Sequence, residues 1–190
     1  MKNIITLLRP HQYVKNLFIF APMLFAFNIT PQTLLEASIA FVLFSIIASS
    51  IYVLNDYMNI EEDKKHPRKS KRPLASGAIS LANANFIFMF LAAFGFIAAF
   101  TLSKELFGVL ALYFVLNLLY SYKFKHIAYV DIFIIAAGFV LRLFAGSVAT
   151  QTPLSMWIII ITFFLAIFLV LLKRRNNVLL QRFEIDEMKI

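Results

Sequence analysis

The chain has 190 residues; 61% are hydrophobic, 15% are charged, 22 are phenylalanine, and the formal net charge is +8. That balance excludes an ordinary soluble domain, in which about 25% of residues are charged, and calls for lipid around surfaces that no core of this size can hide. With no cysteine and three histidines, neither a disulfide nor a zinc site is expected.

Met1–Thr6 carries one lysine, and Arg9-Pro10-His11 interrupts the chain before any apolar run. No small-residue cleavage site follows, so the start does not read as a signal peptide and the first apolar stretch is expected to stay in the membrane. Crossing a bilayer as α-helix takes about 20 mostly apolar residues. Six stretches qualify in chain order: Leu17–Ile29, Leu34–Leu54, Leu81–Leu102, Leu106–Tyr122, Val130–Thr150 and Trp157–Leu172. The first is short and contains Pro22, which predicts a tilted, kinked or partly inserted segment. The expected class is therefore an all-α integral membrane protein of about six helices, forming one transmembrane domain over residues 1–190 with a polar loop at 55–80.

Sixteen of the eighteen basic residues fall before the first stretch, between the second and third, between the fourth and fifth, or after the sixth. The opposite links, Thr30–Thr33, Ser103–Glu105 and Gln151–Ser155, are short and hold only Lys104; Arg142 lies inside a helix. Lysine- and arginine-rich loops stay in the cytoplasm. The N-terminus and every large polar segment are thus expected on the cytoplasmic face of a multi-pass plasma-membrane protein. Sidedness accounts for the positive charge, and no nucleic-acid role is expected.

The second stretch leads into Asn55-Asp56-Tyr57-Met58-Asn59-Ile60-Glu61-Glu62-Asp63. If its helix continues, Asn55, Asp56, Asn59 and Asp63 share an arc of about 100°. Glu62 lies beside that arc and Glu61 points away. Magnesium takes hard oxygen ligands, keeps waters, and commonly joins one or two carboxylates to substrate phosphates. A basic run, Lys64-Lys65-His66-Pro67-Arg68-Lys69-Ser70-Lys71-Arg72-Pro73, follows at once. Acid followed by base suits a magnesium–diphosphate group, the metal covering some oxygens and Lys or Arg the others. Arg72-Pro73, with Gly77 just beyond, predicts a turn aiming Lys71 and Arg72 back at the acids. Charge balance at a cytoplasmic loop is the competing explanation.

Further on, Tyr113, Asn117 and Ser121 form a polar stripe that reads as interhelical hydrogen-bonding. Asp131 opens the fifth stretch and Arg142 lies about 16 Å along the same face. An arginine at that depth is expected to face a cavity or a partner, either as a functional group or as a structural cap.

The pattern Asn-Asp-x-x-Asn-x-x-x-Asp at Asn55–Asp63, with the basic stretch ending in Arg72-Pro73, resembles the UbiA superfamily of membrane prenyltransferases. Arg9-Pro10-x-Gln12-Tyr13-x-Lys15-Asn16, Asn117-Leu118-x-Tyr120-Ser121-x-x-x-Lys125-His126 with Asp131, Leu141-Arg142-x-x-Ala145-Gly146 and Lys173-Arg174-Arg175 resemble the branch that moves phosphoribose onto a polyprenyl phosphate. The resemblance implies a UbiA-like helix bundle. It implies Mg2+ held by Asp56, Asn59 and Asp63, with Asp56, Asp63 and Asp131 as catalytic carboxylates. Asn55, Lys71, Arg72, Tyr120, Lys125 and Arg142 are then substrate-binding candidates, joined by Lys15, Lys173 and Arg174 for the lipid phosphate. The implied substrates are phosphoribosyl diphosphate and a polyprenyl phosphate.

Three departures stand out. Asn59 replaces an aspartate of the family pattern, Asn177 stands where the branch carries an acid, and nine helices are expected where about six are found. A fragment or a truncated, inactive remnant is one alternative expectation. An aromatic prenyltransferase using a prenyl diphosphate is the other.

Overall fold

A computed structural model describes residues 2–123, 127 and 129–187. The described residues are helical, with no strand. In chain order they form α1 (Lys2–Leu8), a 3-10 segment (Pro10–Phe20), α2 (Ala21–Phe25), α3 (Pro31–Met58), α4 (Ile60–Lys64), a 3-10 turn (Lys69–Lys71), α5 (Leu81–Leu102), α6 (Lys104–Tyr122), α7 (Val130–Thr150) and α8 (Met156–Glu187).

Five of these, α3 and α5 to α8, are long and apolar enough to cross a membrane. The expected first crossing is not a single α-helix. Pro10 and Pro22 bracket it, and the chain runs as 3-10 helix to Phe20 before one short α-turn. At about 2.0 Å and 1.5 Å rise per residue, the two pieces still reach about 30 Å. They join opposite ends of the bundle: Arg9 meets Asp56 at one end, and Asn28 Nδ2 donates to Thr152 Oγ1 (3.1 Å) at the other.

α3 is the spine. Thr30 caps it reciprocally with Thr33, and Pro31 stands in its first turn, where a missing N–H costs nothing. Its 28 residues extend about 42 Å, so its last two turns, carrying Asn55 and Asp56, leave a hydrocarbon layer of about 30 Å. Around it Ile19, Leu43, Phe44, Ile47, Leu110, Tyr113 and Ala145 make the main core. Gly146 on α7 admits the 3-10 segment: a Cβ built there would collide with the backbone carbonyl of Ile19. α5 and α8 bury only 11% of their apolar windows and present phenylalanine and leucine outward, as lipid-facing helices do.

A second, smaller cluster (Leu7, Val53, Leu74, Ile79 and Ala84) pins the 59–80 connection between α1, α3 and α5. This connection is therefore a packed element. Its turn closes through Ile79 N–H to Pro73 O (3.1 Å) and through Gly77, whose φ of 75° suits a residue without Cβ.

Candidate functional site

The acidic motif straddles a helix break. α3 ends at Met58, Asn59 leaves helical geometry at φ −105° and ψ 15°, and α4 starts at Ile60. The i to i+4 bonds survive, from Asn59 N–H to Asn55 O (3.2 Å) and from Asp63 N–H to Asn59 O (2.8 Å). The expected stripe is thus bent, yet its two aspartates converge. Both are 3% exposed. Arg72 Nη1 lies 3.1 Å from Asp56 Oδ1 and 2.6 Å from Asp63 Oδ2. One guanidinium nitrogen bridges the two carboxylates, which therefore face a common cationic point.

Arg72 arrives there for local reasons. The 3-10 turn over Lys69–Lys71 brings the chain back, and Arg72 is extended at ψ 146° ahead of Pro73. Buried Leu74 and Ile79 anchor the far side of the turn. The expectation that the turn aims Arg72 at the acids is met. Lys71 lies exposed on the surface of the same turn. Asn59 Nδ2 donates to Asn55 O (2.7 Å) and to Asn55 Oδ1 (2.8 Å), coupling the two amides. Glu61 points away as expected. It pairs with Lys64 at 2.7 Å, whose hydrogen bond and charge hold its carboxyl below the usual glutamate range.

Arg9, which opens the Arg9–Asn16 motif but was not among the expected site residues, joins this centre. Its Nη2 lies 2.5 Å from Asp56 Oδ1, and its guanidinium stands 5.6 Å from the centre of the Tyr52 ring. Ser49 locks this corner by donating to Leu8 O (3.0 Å) while sharing a 2.7 Å hydrogen bond with the Tyr13 hydroxyl. The signal available for it was its place at the head of that motif.

Two buried carboxylates that converge on one point supply the hard oxygen donors a divalent cation takes, although Arg9 and Arg72 balance their charge in this arrangement. No set of three or more His, Cys, Asp or Glu side chains gathers at one point among the described residues. A cation here would complete its shell with Asn59, water or substrate oxygens, the habit of magnesium in phosphate chemistry.

The remaining candidates divide into two groups. Asp131 is 6% exposed in the first turn of α7 and pairs with Arg174 of α8; its Oδ1 is buried with no hydrogen-bond partner among the described residues. Lys173 is exposed on α8, next to Arg174. Lys15 lies exposed on the 3-10 segment, one residue before buried Asn16. Tyr120 is half-buried in the last turn of α6. Lys125, with His126, lies outside the described residues.

Arg142 is 4% exposed and tightly held. Its Nε donates to Asn16 Oδ1 (2.8 Å), its Nη1 to Gly138 O (2.7 Å) and its Nη2 to the Tyr113 hydroxyl (3.3 Å). Asn16 in turn donates to Ser45 Oγ (2.8 Å), and the rings of Phe44, Tyr113 and Phe139 surround the guanidinium at 4.9–5.3 Å. These bonds tie α7 to the 3-10 segment and α6. Tyr113 supplies the interhelical bond expected of its stripe, whereas Asn117 bonds back to Tyr113 O of its own helix (2.8 Å).

The sequence profile of the UbiA prenyltransferase family matches residues 16–186. The chain belongs to that family. It is 34% identical over 177 residues to a decaprenyl-phosphate phosphoribosyltransferase of Mycobacterium tuberculosis, covering 90% of this chain and 59% of the relative. It is 36% identical over 185 residues to the enzyme of the same name from Corynebacterium glutamicum, covering 94% and 55%. The chain thus spans less than two thirds of the length of these curated relatives. Among solved structures, a UbiA homologue from Archaeoglobus fulgidus bound to GPP and Mg2+ superposes with a TM-score of 0.72 at 21% identity, over 87% of this chain and 60% of the other. This family member is therefore a multi-pass, all-α membrane protein with a UbiA-like bundle.

Proposed function

We propose that the protein transfers phosphoribose from phosphoribosyl diphosphate to a polyprenyl phosphate on the cytoplasmic side of the membrane. The observation that carries this reading is the convergence of buried Asp56 and Asp63 on Arg72 where α3 leaves the bilayer. The similarity to decaprenyl-phosphate phosphoribosyltransferases over 90% of the chain supports the choice of substrates.

Asp56 and Asp63, with the Asn59 amide oxygen, hold Mg2+ in this proposal. When bound, that ion neutralises charge developing on a diphosphate leaving group. Arg72 turns from the carboxylates to the donor's phosphate oxygens, with Lys71 beside it, and a guanidinium presents the paired donors that such oxygens accept. The bond from the ribose C1 to the diphosphate oxygen breaks, diphosphate departs with the electron pair, and an oxygen of the acceptor phosphate bonds to C1. An ionised phosphate needs no general base, so positioning and charge carry the catalysis. Lys15 and Lys173 hold the acceptor phosphate at the interface, and Asp131 keeps Arg174 oriented toward it. Arg142 braces the wall behind them and leaves phosphate contact to the lysines.

Membranes containing the protein, given phosphoribosyl diphosphate labelled in the ribose, Mg2+ and a polyprenyl phosphate, are expected to move label into organic extract. Absence of that transfer, with label moving instead from a prenyl diphosphate onto an aromatic acceptor, would replace this reading with the aromatic prenyltransferase one.

A further inference from the structure

Most of the basic run at residues 64–73 takes no part in the carboxylate centre. Arg72 alone of the run reaches Asp56 and Asp63, and Lys64 pairs with Glu61. Lys65, Arg68, Lys69 and Lys71 are exposed, and none has an ion pair among the described residues. The turn that carries them is nevertheless held in one shape. His66 N–H donates to Asp63 O (3.2 Å) and Ser70 N–H to His66 O (3.0 Å). His66 Nδ1 accepts from the N–H groups of Arg68 (3.2 Å) and Lys69 (3.4 Å). Leu74 and Ile79 pin the far side of the turn into the second cluster. Sidedness explains why cations lie on this side of the membrane. It does not require a braced turn to hold them exposed and unpaired.

The turn stands at the rim of the bundle and at headgroup depth. It leads directly into α5, a lipid-facing helix whose N-cap Ser80 accepts from Asn83 N–H. Phe86, Phe90 and Phe94 form an exposed stacked row on α5, with ring centres 6.1 and 6.2 Å apart. Phe86 lies about 9 Å along the helix from Ser80, at about 1.5 Å per residue. The polar layer of a bilayer is about 5–8 Å deep on each side of the hydrocarbon. A helix whose lipid-facing row starts at Phe86 therefore has its preceding turn among the headgroups. Beside it α1 exposes Ile4 and Ile5 and buries Leu7 in the same cluster, as a helix lying at the interface does.

We propose that this turn is a docking surface for anionic phospholipid, with Lys65, Arg68 and Lys69 on the headgroup phosphates and acyl chains over the Phe86–Phe94 row. Clusters of four or more Lys or Arg beside a membrane helix attract anionic lipid, and the attraction falls off within a Debye length. The exposed phenylalanine row below the cations favours a lipid over a soluble phosphate compound, which has no acyl chain to lay on it. The surface is separate from the transfer chemistry and stands or falls independently of it.

The test uses the full chain reconstituted in phosphatidylcholine vesicles and fluorescence quenching by brominated lipid. Trp157 is the chain's one tryptophan and lies at the opposite end of the bundle, so the unaltered protein reads the far face. Trp157→Phe combined with Ala78→Trp moves the reporter to an exposed position between the turn and α5. At position 78, brominated phosphatidylglycerol is expected to bind about fivefold more tightly than brominated phosphatidylcholine, the scale of one cation near an anionic surface. Adding Lys65→Gln, Arg68→Gln and Lys69→Gln together, or raising the salt, is expected to bring the two lipids to parity. Inorganic diphosphate at constant ionic strength is expected to leave the preference unchanged. Parity at position 78 before the cations are removed, or a preference that survives their removal, overturns the proposal. An equal preference at Trp157 makes the effect general to the protein and overturns it too. Loss of the preference on adding diphosphate assigns the turn to soluble phosphate instead of lipid.

Discussion

Gly146→Ala should damage this protein far more than a single methyl group suggests. A Cβ at 146 meets the main-chain carbonyl of Ile19, and its next nearest neighbours are the same peptide's carbon and Cα. No side-chain rotation relieves a clash with backbone, so the 3-10 segment must withdraw from α7. Overpacking of this kind costs about 1–3 kcal/mol. The withdrawal also stretches the bonds from Asn16 to Arg142 and to Ser45, both 2.8 Å, each worth about 1 kcal/mol. A total of at least about 3 kcal/mol corresponds to a melting temperature lower by about 6–12 °C or more for a chain of this size. Gly108→Ala is the matched control, because nothing lies within 4 Å of a Cβ there and alanine is the better helix former. Thermal stability in detergent, read as the fraction remaining monodisperse after heating, measures both. A Gly146→Ala protein melting within about 2 °C of the wild type would refute the close approach on which this packing account rests.

Other consequences are equally direct. The chain has no cysteine, so single-cysteine variants report sidedness without background: Ser70→Cys should react with a membrane-impermeant maleimide only from the cytoplasmic side, and Ser103→Cys only from the opposite side. Arg142→Ala and Asn16→Ala should each destabilise by about 1–3 kcal/mol and combine to less than their sum, because they remove the two ends of one hydrogen bond; additive losses would dissolve the network. Asn59→Asp should lower the Mg2+ concentration needed for half-maximal activity several-fold, since a charged oxygen replaces an amide oxygen; an unchanged requirement removes position 59 from the metal site.

Much of this was legible because its causes are local. Leu81–Leu102 and Val130–Thr150 run as expected, since unbroken apolar windows end at Ser103 and Gln151. Asp56, Asp63 and Arg72 lie within sixteen residues, so one turn sufficed to join them. The first crossing was harder: its length and Pro22 were visible, but its seat against Gly146 and the burial of Asn16 belong to tertiary packing. α3 and α8 outrun their apolar stretches because helical hydrogen bonding continues beyond the lipid. Arg9 is 47 residues from Asp56, and Asn16 is 126 from Arg142. No periodicity signals such pairs, because folding alone brings their members together.

If the buried Asp56–Asp63–Arg72 centre handles the phosphoribosyl donor, transfer depends on its carboxylate charge. The most direct measurement compares wild type with Asp63→Asn for transfer of ribose label from phosphoribosyl diphosphate to polyprenyl phosphate, at equal amounts of folded protein and saturating Mg2+. Asparagine keeps the shape and removes the charge that Arg72 meets at 2.6 Å. A loss of about 100-fold or more is expected, the scale seen when one preorganised electrostatic partner is removed. Wild-type transfer by Asp63→Asn, or wild-type protein with no Mg2+-dependent transfer at all, would contradict it.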